Sequence, residues 1–326
     1  MGGQVISIDG NISLPETRPL VPNFSTSRMN STMQISKLFY SVASICCCLM
    51  ISMQANADET TKRKIALVAG TTAKVDKVGH HDYLAGCQSL QVLLEQTKDV
   101  ETVFIQNGWP KDAAVFDDVS AIVFYTDGGG KQAFLESPER IESLLKLADS
   151  GVGIVMIHQA VDFPKEHAVT GKKLLGGIYL GGKSGRGHWP STHIEFPEHP
   201  VTRGVTPWKI NDGWLNNLDF VDDMKGISPL VWSGKEVEES REGVDAHIVA
   251  WTFNRPDGGR SFSFSGLDAH SAWELPGMRK FVVNGILWSA GVVIPNEGAP
   301  SEISKEALDT ALTPRTPKAT PKKKST

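Results

Sequence analysis

The chain has 326 residues, 40% of them hydrophobic and 21% charged, which suits an ordinary globular protein of one large or two small domains. A net charge of −4 leaves no basic footprint and argues against nucleic acid as a partner. The two ends read differently from the middle.

Residues 1–32 are polar, rich in Ser, Asn and Pro, and without periodicity, so they are expected to be a disordered or non-native extension ahead of a start at Met33 or Met29. Met33 to Lys37 gives a basic start and Leu38 to Met53 a short apolar centre, closed by Ala55-Asn56-Ala57. That pattern predicts a secretory signal peptide over 33–57, cleavage near Ala57 and export to the periplasm or beyond. The apolar run is short and broken by Ser, which argues against a permanent membrane span. Removal of this segment takes Cys46, Cys47 and Cys48 with it. Cys87 alone is left, so no internal disulfide can form.

The middle of the chain alternates strand and helix. Lys64 to Gly70 predicts a buried strand, followed by a loop with His80, His81 and Asp82, then a helix over about 82–96. Val100 to Ile105 predicts a second strand. Pro110 to Phe116 leaves little room for a crossover helix. A third strand runs to Tyr125 and ends on Thr126-Asp127-Gly128-Gly129-Gly130. Pro138 to Asp149 predicts a helix, with Pro in its first turn and Gly151 as its stop. Val152 to Ile157 is apolar on both faces, as a central parallel strand requires, and it stops on His158-Gln159. The class is therefore α/β with a parallel sheet flanked by helices.

The second half is irregular and Gly-rich. His193 to Phe196 reads as a short strand, and Ala246 to Thr252 with Arg260 to Gly266 as a strand pair turning at Pro256-Asp257-Gly258-Gly259. Phe281 to Ala290 closes with a helix. From about Ala299 to Thr326, Ser, Thr, Pro and Lys predict a disordered basic tail. Gly177 to Ser184 formally fits a phosphate loop, but Gly185, Gly187 and Pro190 follow it where a helix must start, so no nucleotide is expected.

An ordered set of motifs carries a family resemblance. They are His158, Leu175-Gly176-Gly177 leading to Gly187-His188-Trp189, and His199-Pro200-Val201-Thr202. Further on come Asn211-Asp212-Gly213-Trp214, Ala250-Trp251, Gly259-Arg260 leading to Ser265-Gly266 and His270, and Asn284-Gly285-Ile286-Leu287-Trp288. In this order they resemble the trehalose-utilisation (ThuA-like) family over about residues 62–294. The resemblance implies a flavodoxin-like fold related to class I glutamine amidotransferases and a role in carbohydrate metabolism. Where those amidotransferases carry a nucleophilic Cys, this chain has His158-Gln159, so glutaminase chemistry lacks its nucleophile. The family's last strand usually ends in Gly-His. Here Gly266-Leu267-Asp268-Ala269-His270 stands instead.

Ligands of open parallel sheets sit at the carboxyl ends of the strands, which would gather His80, His81, Asp82, Asp127, His158 and Gln159 on one rim. His158, Asp127 and Asp212 are the candidate catalytic residues, with His158 able to take and give a proton near neutrality. His81, Gln159, Gly128, Gly129, Trp189 and Trp214 are candidates for substrate binding: the glycines as amide donors, the indoles as platforms for a sugar ring. His158, His188 and His270 are candidate ligands for a divalent metal such as Zn. The expected partner is a small-molecule carbohydrate, with self-association into a homo-oligomer left open. The alternative to an enzyme is a non-catalytic carbohydrate-binding module.

Overall fold

The computed structural model describes residues 62–71, 77–235 and 244–314. The proposed extension at 1–32 and signal peptide at 33–57 lie outside them. The first half follows the alternation in the sequence: β1 (Arg63–Ala69), α1 (Tyr83–Leu94), β2 (Val100–Ile105), β3 (Val119–Tyr125), α2 (Pro138–Asp149) and β4 (Gly153–Ile157). Asp82 caps α1 by accepting from the Ala85 amide, and Ser137 caps α2 ahead of Pro138. Between β2 and β3 the short sequence forms only a 3₁₀ turn, Ala113–Phe116.

The second half is more regular than its glycines suggest. It comprises β5 (Asp162–Phe163), α3 (Ala168–Leu175), β6 (Gly177–Leu180), β7 (Gly185–His193), β8 (Trp208–Asn216), β9 (Asp219–Phe220), β10 (Ile227–Trp232), β11 (Ile248–Asn254), β12 (Arg260–Phe264) and α4 (Pro276–Ser289). The phosphate-loop-like stretch enters β6 and turns into β7, with no helix at its end. His193 closes the nine-residue β7 instead of opening a short strand of its own.

Among the described residues the main sheet runs β10-β11-β12-β4-β3-β1-β2. β2, β1, β3, β4 and β12 are parallel, while β11 and β10 extend the sheet antiparallel. The parallel part has the flavodoxin-like order, in which ligands sit at the carboxyl rim. Val155 of β4 lies between Val123 of β3 and Phe262 of β12, so the chain leaving β4 emerges at the middle of that rim.

Alternation along β1 sends Ile65, Leu67 and Ala69 into one core and Ala66 and Val68 into the other. The first core holds Leu90 and Leu93 of α1 and Leu287 of α4; the second holds Leu144 of α2 and Leu174 of α3. Helices thus cover both faces, and every residue of β4 is buried. No helix among the described residues is long and apolar enough to cross a membrane.

The expected basic tail is ordered over most of its described part. Ala299 donates its amide to Asn284 Oδ1 at 2.9 Å, and Gln96 pairs with the Glu302 backbone at 2.6 and 3.0 Å. Helix α5 (Lys305–Ala311) buries Leu308, and Thr313 bonds the Asp82 carboxylate through its amide and its hydroxyl. Composition pointed to disorder, but two apolar anchors and these hydrogen bonds offset the ordering entropy. Residues 315–326 lie outside the described residues.

Candidate functional site

The loop after β1 and the loop after β12 are stitched together at the carboxyl rim. The His81 amide donates to Asp268 O at 3.0 Å, the His270 amide donates to Gly79 O at 2.6 Å, and His80 bridges Ala269. The chain turns sharply at His81 (φ +46°), His158 (φ +56°) and Leu267 (φ +70°). Such left-handed conformations cost a non-Gly residue about 1–3 kcal/mol each and concentrate at functional sites. Together they aim side chains from three loops at one point.

That point is Asp268, 2% exposed. Its Oδ2 lies 3.0 Å from His80 Nδ1 and 2.7 Å from His188 Nε2. Its Oδ1 lies 2.9 Å from His81 Nε2 and 3.4 Å from His158 Nε2. Burial alone would raise the Asp268 carboxyl, but contact with His158, His81 and His188 outweighs burial and holds it well below the usual carboxylate range.

His158 decides what this arrangement can do. Its Nδ1 lies 3.0 Å from Ser265 O, an acceptor only, so Nδ1 carries the hydrogen. Nε2 then presents either a lone pair or a second proton to the Asp268 carboxylate. Among the described residues, neither His158 Nε2 nor Asp268 Oδ1 makes an aligned hydrogen bond, although both are buried. Two lone pairs facing each other in a buried site repel, so a cation belongs between them: a proton or a metal. A histidine donating its other N–H to a backbone carbonyl is the usual arrangement of a metal ligand. The donor atoms of His81, His158 and Asp268 all lie within 4.8 Å of one another, as do those of His80, His188 and Asp268.

The family model described as trehalose utilisation, ThuA, matches residues 66–289, more than half of the chain. The chain belongs to the ThuA family. Among solved structures it is similar to a ThuA-like protein from Parabacteroides merdae, with 18% identity over 76% of this chain and 99% of that one, at a TM-score of 0.50. It is also similar to a ThuA-like protein from Bacteroides uniformis, with 13% identity over 72% of this chain and 94% of that one, at a TM-score of 0.50. No functionally curated protein matches the sequence.

In this ThuA-family chain the residues singled out from sequence divide into two groups. His81, His158, Gln159, His188 and Trp214 line one pocket with Arg186, Gly187, Gly213, Leu215 and Asp268, enclosing about 180 Å³. Gln159 Nε2 lies 3.2 Å from His81 Nε2 and steadies that ring. A larger depression of about 420 Å³ lies at the opposite rim, beside Arg63, Gly151 and Arg260, away from the histidines.

The other candidates support this pocket from outside. Asp212 is 1% exposed, and its carboxylate accepts the amides of Gly213, Leu267, Asp268 and Ala269 at 2.7–3.2 Å. It holds the Asp268 loop and does not line the pocket; burial raises its carboxyl. Asp127 accepts from Tyr83 Oη at 2.7 Å. Trp189 is buried with its Nε1 on Ser233 Oγ at 2.9 Å, and Trp214 donates to Trp189 O at 3.0 Å. Trp189 does not line the pocket, whereas Trp214, 1% exposed, forms part of its wall.

The glycine loop is likewise occupied. The Gly129 amide donates to Asp162 O at 2.7 Å, and a Cβ on Gly128 would stand 2.2 Å from Gln159 O. These glycines let the loop press against the turn after His158. His270 turns away, its Nε2 3.0 Å from Leu308 O, and is not with His158 and His188. Asp268 takes the place expected for it, because the left-handed Leu267 swings the chain over between strand end and loop. Cys87 is fully buried in α1, where burial raises its thiol and leaves it inert.

Proposed function

We propose that this protein is an exported enzyme of carbohydrate metabolism that acts on a keto-sugar by proton transfer next to the carbonyl, assisted by a divalent metal such as Zn. The export part rests on the signal-like residues 33–57 and the carbohydrate part on the family's description. The chemical part rests on one observation: His158 Nε2 and Asp268 Oδ1 face each other at 3.4 Å while His158 Nδ1 is committed to Ser265 O.

His81, His158 and Asp268 would form the ligand set, all donors of the kind Zn takes. A bound cation would supply Lewis-acid polarisation of the sugar carbonyl. His188, whose side chain is 61% exposed, stands at the mouth of the same pocket. It would take the proton from the carbon next to the carbonyl, leaving the electron pair of the broken C–H bond on the carbonyl oxygen, and return a proton to the neighbouring carbon as the carbonyl re-forms there. Arg186 lines the pocket as a cationic contact for hydroxyl or carboxylate groups.

Two rivals fit less well. A glycosidase of the usual kind needs two facing carboxylates, and Asp268 is the one carboxylate among the described residues lining the pocket. A carbohydrate-binding module would present open aromatic faces, whereas Trp189 is buried away from the pocket and Trp214, in its wall, is only 1% exposed. The pocket, below the ~300–1,000 Å³ of sites for drug-sized ligands, suits one sugar ring.

The test is turnover of a panel of keto-sugars by the purified protein as prepared, after chelation, and after restoring Zn. Activity lost on chelation, regained with Zn and absent in His158→Ala supports the reading. Activity that survives chelation in full would exclude the metal, and binding of the same sugars without any turnover would favour the binding module.

A further inference from the structure

We propose that Asp268 bridges two divalent cations, the second held by His80 and His188. This rests on the reading that His81, His158 and Asp268 hold the first. The two oxygens of one carboxylate divide the imidazoles between them. Oδ1 faces His81 Nε2 and His158 Nε2 at 2.9 and 3.4 Å; Oδ2 faces His80 Nδ1 and His188 Nε2 at 3.0 and 2.7 Å. Each trio brings its donor atoms within 4.8 Å of one another. Ligands about 2.0–2.1 Å from a tetrahedral Zn stand about 3.3 Å apart, so either trio closes on an ion with small movements.

The carboxylate is built to serve both sides. Three backbone amides on Asp212, from Leu267, Asp268 and Ala269, fix the turn that carries it. The amide of His81 is tied to Asp268 O, so the His80-His81 pair and the carboxylate move as one unit. His80 and His81 are consecutive, yet they address opposite oxygens of Asp268 because His81 adopts a left-handed φ of +46°.

The two positions share Asp268, and His81 and His80 are alike at 28% and 29% exposed, so they differ in the remaining ligand: the side chain of His158 is 3% exposed and that of His188 61%. The inner ion is therefore the tighter and the outer ion the weaker and more exchangeable. Because His188 is the proton acceptor of the proposed reaction, filling the outer position withdraws it, and the second ion opposes the first.

Equilibrium dialysis of the metal-stripped protein against ZnCl₂, with mass-spectrometric metal analysis, tests this. Two Zn per chain, in a tight and a weak step, are expected, and His80→Gln and His188→Gln should each retain only the tight step. Both side chains are partly exposed, so these variants should fold, which circular dichroism checks. A single Zn at saturation overturns the inference and leaves the first site standing. No Zn overturns both. Two Zn with the weak step intact in both variants places the second ion elsewhere and also overturns it. With Co(II) as the probe, spin coupling between ions on one bridging carboxylate is expected, since paired sites lie about 3.5–4 Å apart. Two uncoupled ions would contradict the bridge.

Discussion

Asp212 carries Asp268. The Oδ1 of the first accepts the amide of the second at 3.1 Å, in a carboxylate cradle that also takes the amides of Leu267 and Ala269. The two acids have opposite duties: burial raises the Asp212 carboxyl, while imidazoles around Asp268 hold its carboxyl far down. Asp212→Asn replaces an acceptor oxygen by a donor against buried amides. It should destabilise the fold by about 1–3 kcal/mol, read by urea unfolding. Zn affinity should fall roughly 10–100-fold, as for other residues that orient ligands. An unchanged affinity would show that Asp212 does not position Asp268.

Gly86 protects the same loop from beneath. A Cβ there would stand 2.2 Å from Tyr125 Cε1, and Tyr125 Oη donates to Leu267 O. Gly86→Ala should push the ring aside, break that bond and cost about 1–3 kcal/mol of stability. Gly86 sits inside a helix, where Ala is otherwise favoured by up to ~1 kcal/mol, so a net loss isolates the clash.

His193 gives the fold an acid limit. It packs between Trp208 and Trp214, and burial lowers its pKa from 6.5 to about 3. Between those values the unfolded chain binds a proton that the folded chain refuses. Stability from this group is present above pH 6.5 and is lost as pH falls toward 3. His199 adds to the trend, lowered to about 4 by burial and by Arg260 and Arg203. His193→Phe should flatten the fall of the urea midpoint between pH 7 and pH 4.5. An unchanged slope would place the acid sensitivity elsewhere.

Leu308 tests whether the C-terminal strap is part of the fold. It is 2% exposed and belongs to the core cluster that includes Leu90 and Leu287. Leu308→Ala should cost about 2–5 kcal/mol, measured by urea unfolding. A change below about 0.5 kcal/mol would fit a dispensable tail.

The opposing roles of the two cations predict a peaked dose response. Turnover of a keto-sugar should rise with the first equivalent of Zn and decline with the second, and His80→Gln should lose the decline. A monotonic rise to a plateau would show that the outer ion does not compete with His188.

Much of this architecture is legible in the sequence, because strands buried on both faces read as apolar runs and helices carry their caps. Val152 to Ile157 stops on His158, and Pro138 and Gly151 bracket α2. The site is legible only in part. His81, His158 and His188 could be singled out as histidines at strand ends or in family motifs. Asp268 could not, because its role depends on the turn at Leu267 and on the Asp212 cradle, contacts 55–57 residues apart in sequence. Its one local signal is a carboxylate two residues past Gly266, at the end of a strand beside β4. The family's Gly-His pattern points to His270, which the same turn sends toward Leu308. Trp214 lines the pocket and Trp189 does not, a difference the sequence hides because an aromatic near a site reads the same whether it faces a ligand or the core. The order of residues 299–314 was hidden because a polar segment with a few buried anchors has the composition of a tail.

Anomalous diffraction at the Zn edge, from crystals of the protein equilibrated with one equivalent of Zn, would reveal a divalent cation between His158 and Asp268. A peak is expected about 2.0–2.2 Å from both His158 Nε2 and Asp268 Oδ1, with His81 Nε2 completing the set. A map with no peak there, and His158 Nε2 in a direct, aligned hydrogen bond to Asp268, would contradict that expectation and leave a proton in the cation's place.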